Sequence, residues 1–174
     1  MLSYWEHVVN KPWVHGQART SRAYAPGVDA VLPVVDEHQV LVAAPAGAVW
    51  SSLAGHLPGA QGAPAAAYAR LVAARPRRSS GRLLDIGATL PGFTVVESVP
   101  DRYLRLAGQH LFSRYDLCFT LAGESDRTLL TARTLADFPG LRGRLYWLMV
   151  IKSSAHRRLM ARMLCGVRRD AEGR

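Results

Sequence analysis

The stretch FPGLRGRLYWLMVIKSSAHRRLMARML, residues 138–164, decides how the rest of the chain is read. At about 100° per residue it reads as one long helix. Its apolar stripe gathers Leu145, Leu148, Met149, Leu159, Met160, Met163 and, just beyond the stretch, Val167. Lys152 and His156, one turn apart, fall in the middle of that stripe, whereas Arg157, Arg158, Arg162, Arg168 and Arg169 fall away from it. Trp147, Val150 and Ile151 lie on the back of the first half, so that half is expected to be covered on both sides. A lysine and a histidine at core positions are either accommodated by packing or turned toward something that uses a charge.

Upstream of this helix the hydrophobic period shortens to two. FTVVESV (93–99), RYLRLA (102–107), LFSRYDLCFTL (111–121) and RTLLTARTLADF (127–138) all read as strands. The turns between them, Pro100-Asp101, Gly108 and AGESD, are short enough to require an antiparallel meander. In the strand 111–121, Leu111, Ser113, Tyr115, Leu117, Phe119 and Leu121 share the expected inner face. His110, Arg114 and Asp116 are placed on the outer one, with Arg114 and Asp116 as a solvated pair.

Before the meander, HQVLVAAP (38–45) is a short buried strand ended by proline. PAGAVWSSLAGH (45–56) is a helix with Val49, Trp50 and Leu53 on one side. Residues 58–64 form a loop, and AAAYARLVAAR (65–75) a second helix that brings Tyr68, Leu71 and Val72 together. Residues 1 to about 35 show no sustained period but hold Trp5 and Trp13. A merely disordered tail is seldom so aromatic, so an arm that packs on the domain or on a partner subunit is expected.

In this order (strand, helices, antiparallel strands, long helix) the chain resembles the helix-grip domain of the START-like superfamily, which includes birch-pollen-type allergens, lipid-transfer domains and polyketide cyclases. VLVAAPAGAVWSSLA resembles the superfamily's opening strand and helix. GFTVVESVPDRYLRLAGQHLFSRYDLCFTL resembles its middle strands, and TARTLADFPGLRGRLYWLMVIKSSAHRRLMARML its last strand and closing helix. VDAVLPVVDEHQVLVAAPAGAVW is similar to uncharacterised bacterial members with a Pro-X-X-Asp segment before the first strand. The resemblance covers residues 38 to 170. It implies an α+β helix-grip fold, a curved antiparallel sheet wrapped around a long C-terminal helix, with an apolar cavity between them. Residues 1–37 are then an arm and residues 171–174 a tail.

Composition is that of a soluble globular protein: 49% hydrophobic and 20% charged residues, with no apolar run long enough for a membrane-spanning helix. Glu6, His7 and Asn10 interrupt the region where a signal peptide needs a continuous apolar core, so a cytoplasmic location is expected. The net charge of +9 is concentrated near the C-terminus, where nine basic residues from Arg142 onward face only Asp170 and Glu172. No nucleic-acid-binding motif accompanies it, so nucleic acid is not expected as a partner, and peripheral contact of the basic C-terminal helix with an anionic surface is left open. Cys118 and Cys165 have no paired spacing, and HExxH, GxSxG and phosphate-loop motifs are missing. Neither metal nor cofactor is expected, and a homodimer is left open.

The expected function is binding of a small hydrophobic molecule in the internal cavity. Lys152 and His156 are its polar end, holding a carboxylate or carbonyl oxygen. Tyr115 and Ser113 offer hydroxyls, and Trp50, Tyr68, Met149 and Met160 serve as walls. Alternatively Lys152 snorkels past the sheet edge and His156 bonds a backbone carbonyl or Asp137. The rival function is an enzyme of the polyketide cyclase or dehydratase kind, with His156 as acid–base group and Lys152 polarising a ketone. A third reading is a protein-interaction module using the basic outer face of the last helix and the arm. A carrier is preferred to an enzyme.

Overall fold

A computed structural model describes residues 32–57, 67, 69–150 and 155–173. β1 (Val34–Val42) leads into α1 (Ala46–His56). The strands β2 (Thr89–Leu90), β3 (Phe93–Val99), β4 (Tyr103–His110), β5 (Ser113–Glu124) and β6 (Arg127–Asp137) follow. The helices α2 (Gly140–Val150) and α3 (Ala155–Ala171) end the order. The six strands form one antiparallel sheet in the order β1-β6-β5-β4-β3-β2. The fold is the α+β helix grip that the sequence implies, a curved sheet with a C-terminal helix across it.

Side-chain alternation explains which face of the sheet is covered. Along β6, Thr128, Leu130, Ala132, Thr134 and Ala136 are buried, and the residues between them are not. Leu117, Phe119 and Leu121 of β5, Leu104 and Leu106 of β4, and Val40 and Val42 of β1 join Leu130 and Ala132 in the core. Val49 and Leu53 of α1 and Met160, Met163, Leu164 and Val167 of α3 close it from above. The hairpin turns are tight, with Asp101 and Ser125 in the left-handed region (φ 61° and 46°), which short polar side chains tolerate better than most.

α1 and α3 approach closely where Gly166 faces His56. A Cβ on Gly166 would lie 2.5 Å from the imidazole. That ring is held in place by the Ser52 carbonyl (3.1 Å) and by Asp170 (3.4 Å).

Two expectations about faces are corrected. Leu111 and Phe112 form the turn between β4 and β5, and Leu111 is exposed. His110 therefore ends β4 on the same side as Leu104 and Leu106, so it points inward. A two-residue turn placed inside the strand had inverted its parity. Asp116 does lie on the outer face but is buried, and its partner is Arg105 rather than Arg114. Arg105 donates to Asp116 Oδ2 from Nε at 2.9 Å and from the guanidinium end at 2.6 Å.

The stretch 138–164 contains α2 and part of α3, and residues 151–154 between them lie outside the described residues, Lys152 included. The single stripe expected along it does not exist. Met160, Met163 and Val167 are buried, but Leu145 (60%), Met149 (66%) and Leu159 (60%) are exposed, as is Leu148. α2 rests on the domain through a different face, that of Gly143 and Tyr146. A Cβ on Gly143 would come within 2.6 Å of the Phe138 carbonyl carbon, and Tyr146 stacks on Phe112 (centroids 5.3 Å apart). The ground beneath α2 is occupied by aromatic rings, so its leucines turn outward. Met149 is thereby removed from the expected wall.

Gly166→Ala is expected to destabilise the fold by about 1–3 kcal/mol, because the added methyl meets a ring fixed at both nitrogens. Urea unfolding of the variant beside the parent measures it, and an unchanged midpoint would contradict the packing described.

Candidate functional site

The polar residues of the covered face gather where β1, β6 and the first turn of α3 meet. The register of β1 against β6 shifts between Val34 and Asp36, so that Val34 faces Leu135 and Asp36 faces Thr134. From Asp36 onward the ladder is regular, so alternation puts Asp36 on the same side as His38, Val40 and Val42. His38 faces Ala132 across the ladder and is 4% exposed.

Both imidazoles converge on one carboxylate oxygen. Asp36 Oδ2 lies 3.3 Å from His38 Nε2 and 3.3 Å from His156 Nε2, and the Thr134 hydroxyl is 3.1 Å from that same His156 nitrogen. Burial is the largest single influence on the Asp36 carboxyl and pushes its pKa up. The hydrogen bonds from His156 and His38, the charge of protonated His156 and the Thr134 hydroxyl together more than reverse it. The net result holds Asp36 well below the usual carboxylate range. Asp36 is therefore an anion at neutral pH.

Among the described residues, two buried atoms of the cluster have no hydrogen-bond partner, Asp36 Oδ1 and His38 Nδ1. A neutral His38 ring that donates its Nε2 proton to Asp36 would leave Nδ1 as an acceptor. The cluster thus leaves a carboxylate oxygen and a ring nitrogen over in a buried place. Among the described residues no three His, Cys, Asp or Glu side chains are arranged to hold a metal ion.

Of the residues expected from sequence, His156 belongs to this cluster, bonding Asp36 and Thr134 rather than Asp137 or a carbonyl. Lys152 and Tyr68 lie outside the described residues. Ser113 and Tyr115 lie on the inner face, but in a second group toward α2. The Tyr115 hydroxyl donates to the Gly92 carbonyl (2.8 Å), and its ring fills the space above Gly108, where a Cβ would come within 2.5 Å of it. His110 Nδ1 accepts from the Phe112 amide (3.1 Å), and its Nε2 reaches the Ser113 hydroxyl (3.3 Å). Burial pushes the His110 pKa down, which favours the neutral ring. Its ring packs against Tyr146 (centroids 4.8 Å apart) and Tyr115 (5.3 Å). Trp50 is half-buried against the core, and Met160 is fully inside it.

Asp36 and His38 were not singled out from the sequence. Their signal was present: His38 shares the parity of Val40 and Val42, and Asp36 ends the Pro-X-X-Asp segment. Reading the strand from His38 left the aspartate in the arm, although Asp36 shares the same parity.

Described residues also form two surface hollows away from this cluster. One, of about 730 Å³, is wide open and is lined by Ala46, Tyr103 and the Pro100–Arg102 turn, among others. The other, of about 300 Å³, is lined by Phe138, Arg144, Trp147 and Leu148. No helix among the described residues is long and apolar enough to cross a membrane.

Neither a family model nor the sequence of a curated protein matches this chain. Solved structures that share its general course include a conserved protein from Geobacillus kaustophilus (15% identity, covering 78% of this chain and 93% of that one, TM-score 0.48). CalU16 from Micromonospora echinospora is another (15% identity, 79% and 83%, TM-score 0.45). A third is a protein from Arthrobacter aurescens (11% identity, 76% and 84%, TM-score 0.48). Likeness at this level says nothing about activity, which must be read from the cluster itself.

Asp36→Asn is expected to cost about 2 kcal/mol of stability at neutral pH, the worth of hydrogen bonds made to a buried charge. A carboxyl held low in the folded state stabilises above its unfolded pKa, and that contribution is lost as the pH falls. The gap between parent and variant should therefore be constant near neutrality and close progressively below about pH 4. Urea titrations of both proteins across that range check it.

Proposed function

We propose that the protein binds a small, largely apolar molecule between the sheet and the C-terminal helices, holding a hydrogen-bond donor of that molecule at Asp36 and His38. The observation that carries this reading is the pair of buried polar atoms that have no partner among the described residues, Asp36 Oδ1 and His38 Nδ1, on the covered face of β1. Leaving such a group unpaired costs about 1–3 kcal/mol, and a ligand that satisfies both recovers that cost. Apolar neighbours support the rest of the reading: Val40 follows His38 in the strand, Leu117 faces Thr134 across the ladder, and Met160 lies one turn along α3 from His156.

The chemistry of the cluster narrows the head group. Asp36 is ionised, and its Oδ1, free among the described residues, presents an acceptor on a negatively charged group. A hydroxyl, phenol or amine fits that arrangement, whereas a carboxylate meets repulsion.

A second reading is favoured by one specific contact. The Asp36–His156 pair is a carboxylate orienting an imidazole, the arrangement an acid–base enzyme of the cyclase or dehydratase kind would use. His156→Gln separates the two readings. A carrier loses affinity modestly, and an enzyme loses turnover by about 10²-fold or more.

The binding reading is tested with 1-naphthol and 1-naphthoate, two probes of one apolar body and opposite head groups, titrated by calorimetry. Naphthol should bind about tenfold or more tightly than naphthoate, the worth of one hydrogen bond to a charged or buried acceptor. His38→Leu should abolish most of that preference. Equal affinities, or a preference for naphthoate, would overturn the assignment.

A further inference from the structure

The helix α2 has a second apolar face that nothing described in the fold uses. Placed at about 100° per residue, Leu141, Leu145, Leu148 and Met149 fall on one side of it, opposite Gly143 and Tyr146, which seat it on the domain. The four are 83%, 60%, 45% and 66% exposed. Arg142 and Arg144, both exposed, fall on the two shoulders of that stripe, and the helix contains no acidic residue. Beside it lies the hollow of about 300 Å³ lined by Phe138, Arg144, Trp147 and Leu148.

We infer that α2 docks the protein on an anionic lipid surface. A surface-lying helix needs a stripe of large apolar side chains that enters the acyl boundary, with basic residues on its shoulders at head-group level. α2 has both, and it is held by its opposite face so that the stripe points away from the domain. Charge selects this occupant over the others the chain itself could provide. Residues 1–31 carry Lys11, Arg19 and Arg22 against Glu6 and Asp29, so the arm brings no net negative charge to the two arginines. A second copy of a chain with net charge +9 brings still less complementarity. The C-terminal helix adds exposed Arg158 and Arg162 to the positive field of this half of the molecule. The docked helix also covers the inward group of Tyr146, His110 and Tyr115, so the surface would meet the protein at one end of the covered face of the sheet.

The test is co-sedimentation of the full chain with vesicles of phosphatidylcholine, with and without phosphatidylglycerol. The protein should bind the mixed vesicles and not the neutral ones, and added salt should release it. Leu145→Glu combined with Leu148→Glu should reduce binding by about tenfold or more, with an unchanged thermal melt because both side chains are exposed. Arg142→Ser and Arg144→Ser should each cost roughly fivefold. Absence of binding to the mixed vesicles would overturn the inference. So would self-association that the leucine variant abolishes while vesicles are ignored, which would make the stripe a contact between copies. Binding that appears only when Trp5→Ser and Trp13→Ser release the arm would overturn it as well, since the arm would then be the occupant.

Discussion

The pairing of β1 with β6 joins the first strand of the domain to the last, and the rest of the architecture hangs on it. α1 follows β1 and α3 follows β6 at the distance of one short helix, so the ladder between the two strands decides where both helices lie over the sheet. It is also the most non-local contact in the sheet, and therefore the costliest in chain entropy to close. Core residues from both ends of the chain offset that cost: Val40 and Val42 from β1, Leu130 and Ala132 from β6, and Met160, Leu164 and Val167 from α3 meet in one cluster. The Ala43 amide, just past β1, donates to Glu172 after α3 (2.9 Å), and the Thr128 hydroxyl donates to the Ala44 carbonyl (2.8 Å), tying the same ends together.

At the far end of this ladder the apolar pattern stops. Asp36, His38 and Thr134 occupy positions that Val40, Val42 and Leu130 occupy further along, and His156 stands over them. A buried carboxylate is expensive unless it is paired and hydrogen-bonded. Here the pairing is good enough to hold the group ionised against the pull of burial, but among the described residues it leaves one oxygen and one ring nitrogen unsatisfied. A cluster serving stability alone would be better completed or replaced by valine and leucine. Incomplete satisfaction of so costly a group is the pattern expected where local rules yield to function.

The fold was largely legible because it is written in periodicities. Period two along 93–137 gave the strands, and the closeness of the turns made them antiparallel. What escaped was whatever depends on an offset of one or two residues. Placing Leu111 and Phe112 in a strand instead of a turn sent His110 to the wrong face, although its neighbours Leu104 and Leu106 share its parity. Starting the first strand at His38 hid Asp36, which lies one alternation earlier on the same face of β1. Asp116 looked solvated because Arg114 was nearer in sequence, whereas the partner across the ladder region is Arg105 on β4. The opening stretch failed for a related reason. Helical phase predicts which residues share a side, but what lies beneath a helix decides which side is buried, and beneath α2 lie the rings of His110 and Phe112.

The same stretch therefore does two different things. In α3 the apolar side turns in, toward Leu130 and Phe119, and His156 enters the carboxylate cluster from the first turn. In α2 the apolar side turns out, because Gly143 is small enough to let the helix rest on the Phe138 backbone while Tyr146 fills the space beside Phe112. Exposing Leu141, Leu145, Leu148 and Met149 together forgoes burial worth about 25 cal/mol for each Å² of apolar surface. A helix whose only charges are two arginines gains nothing in solution from that exposure. Placed at an interface the same four side chains become its anchor, and the arginines that look misplaced in an apolar helix become the part that selects the surface. The inward and outward faces of this one segment then differ in kind: α3 brings a polar group to a buried carboxylate, and α2 turns apolar groups outward.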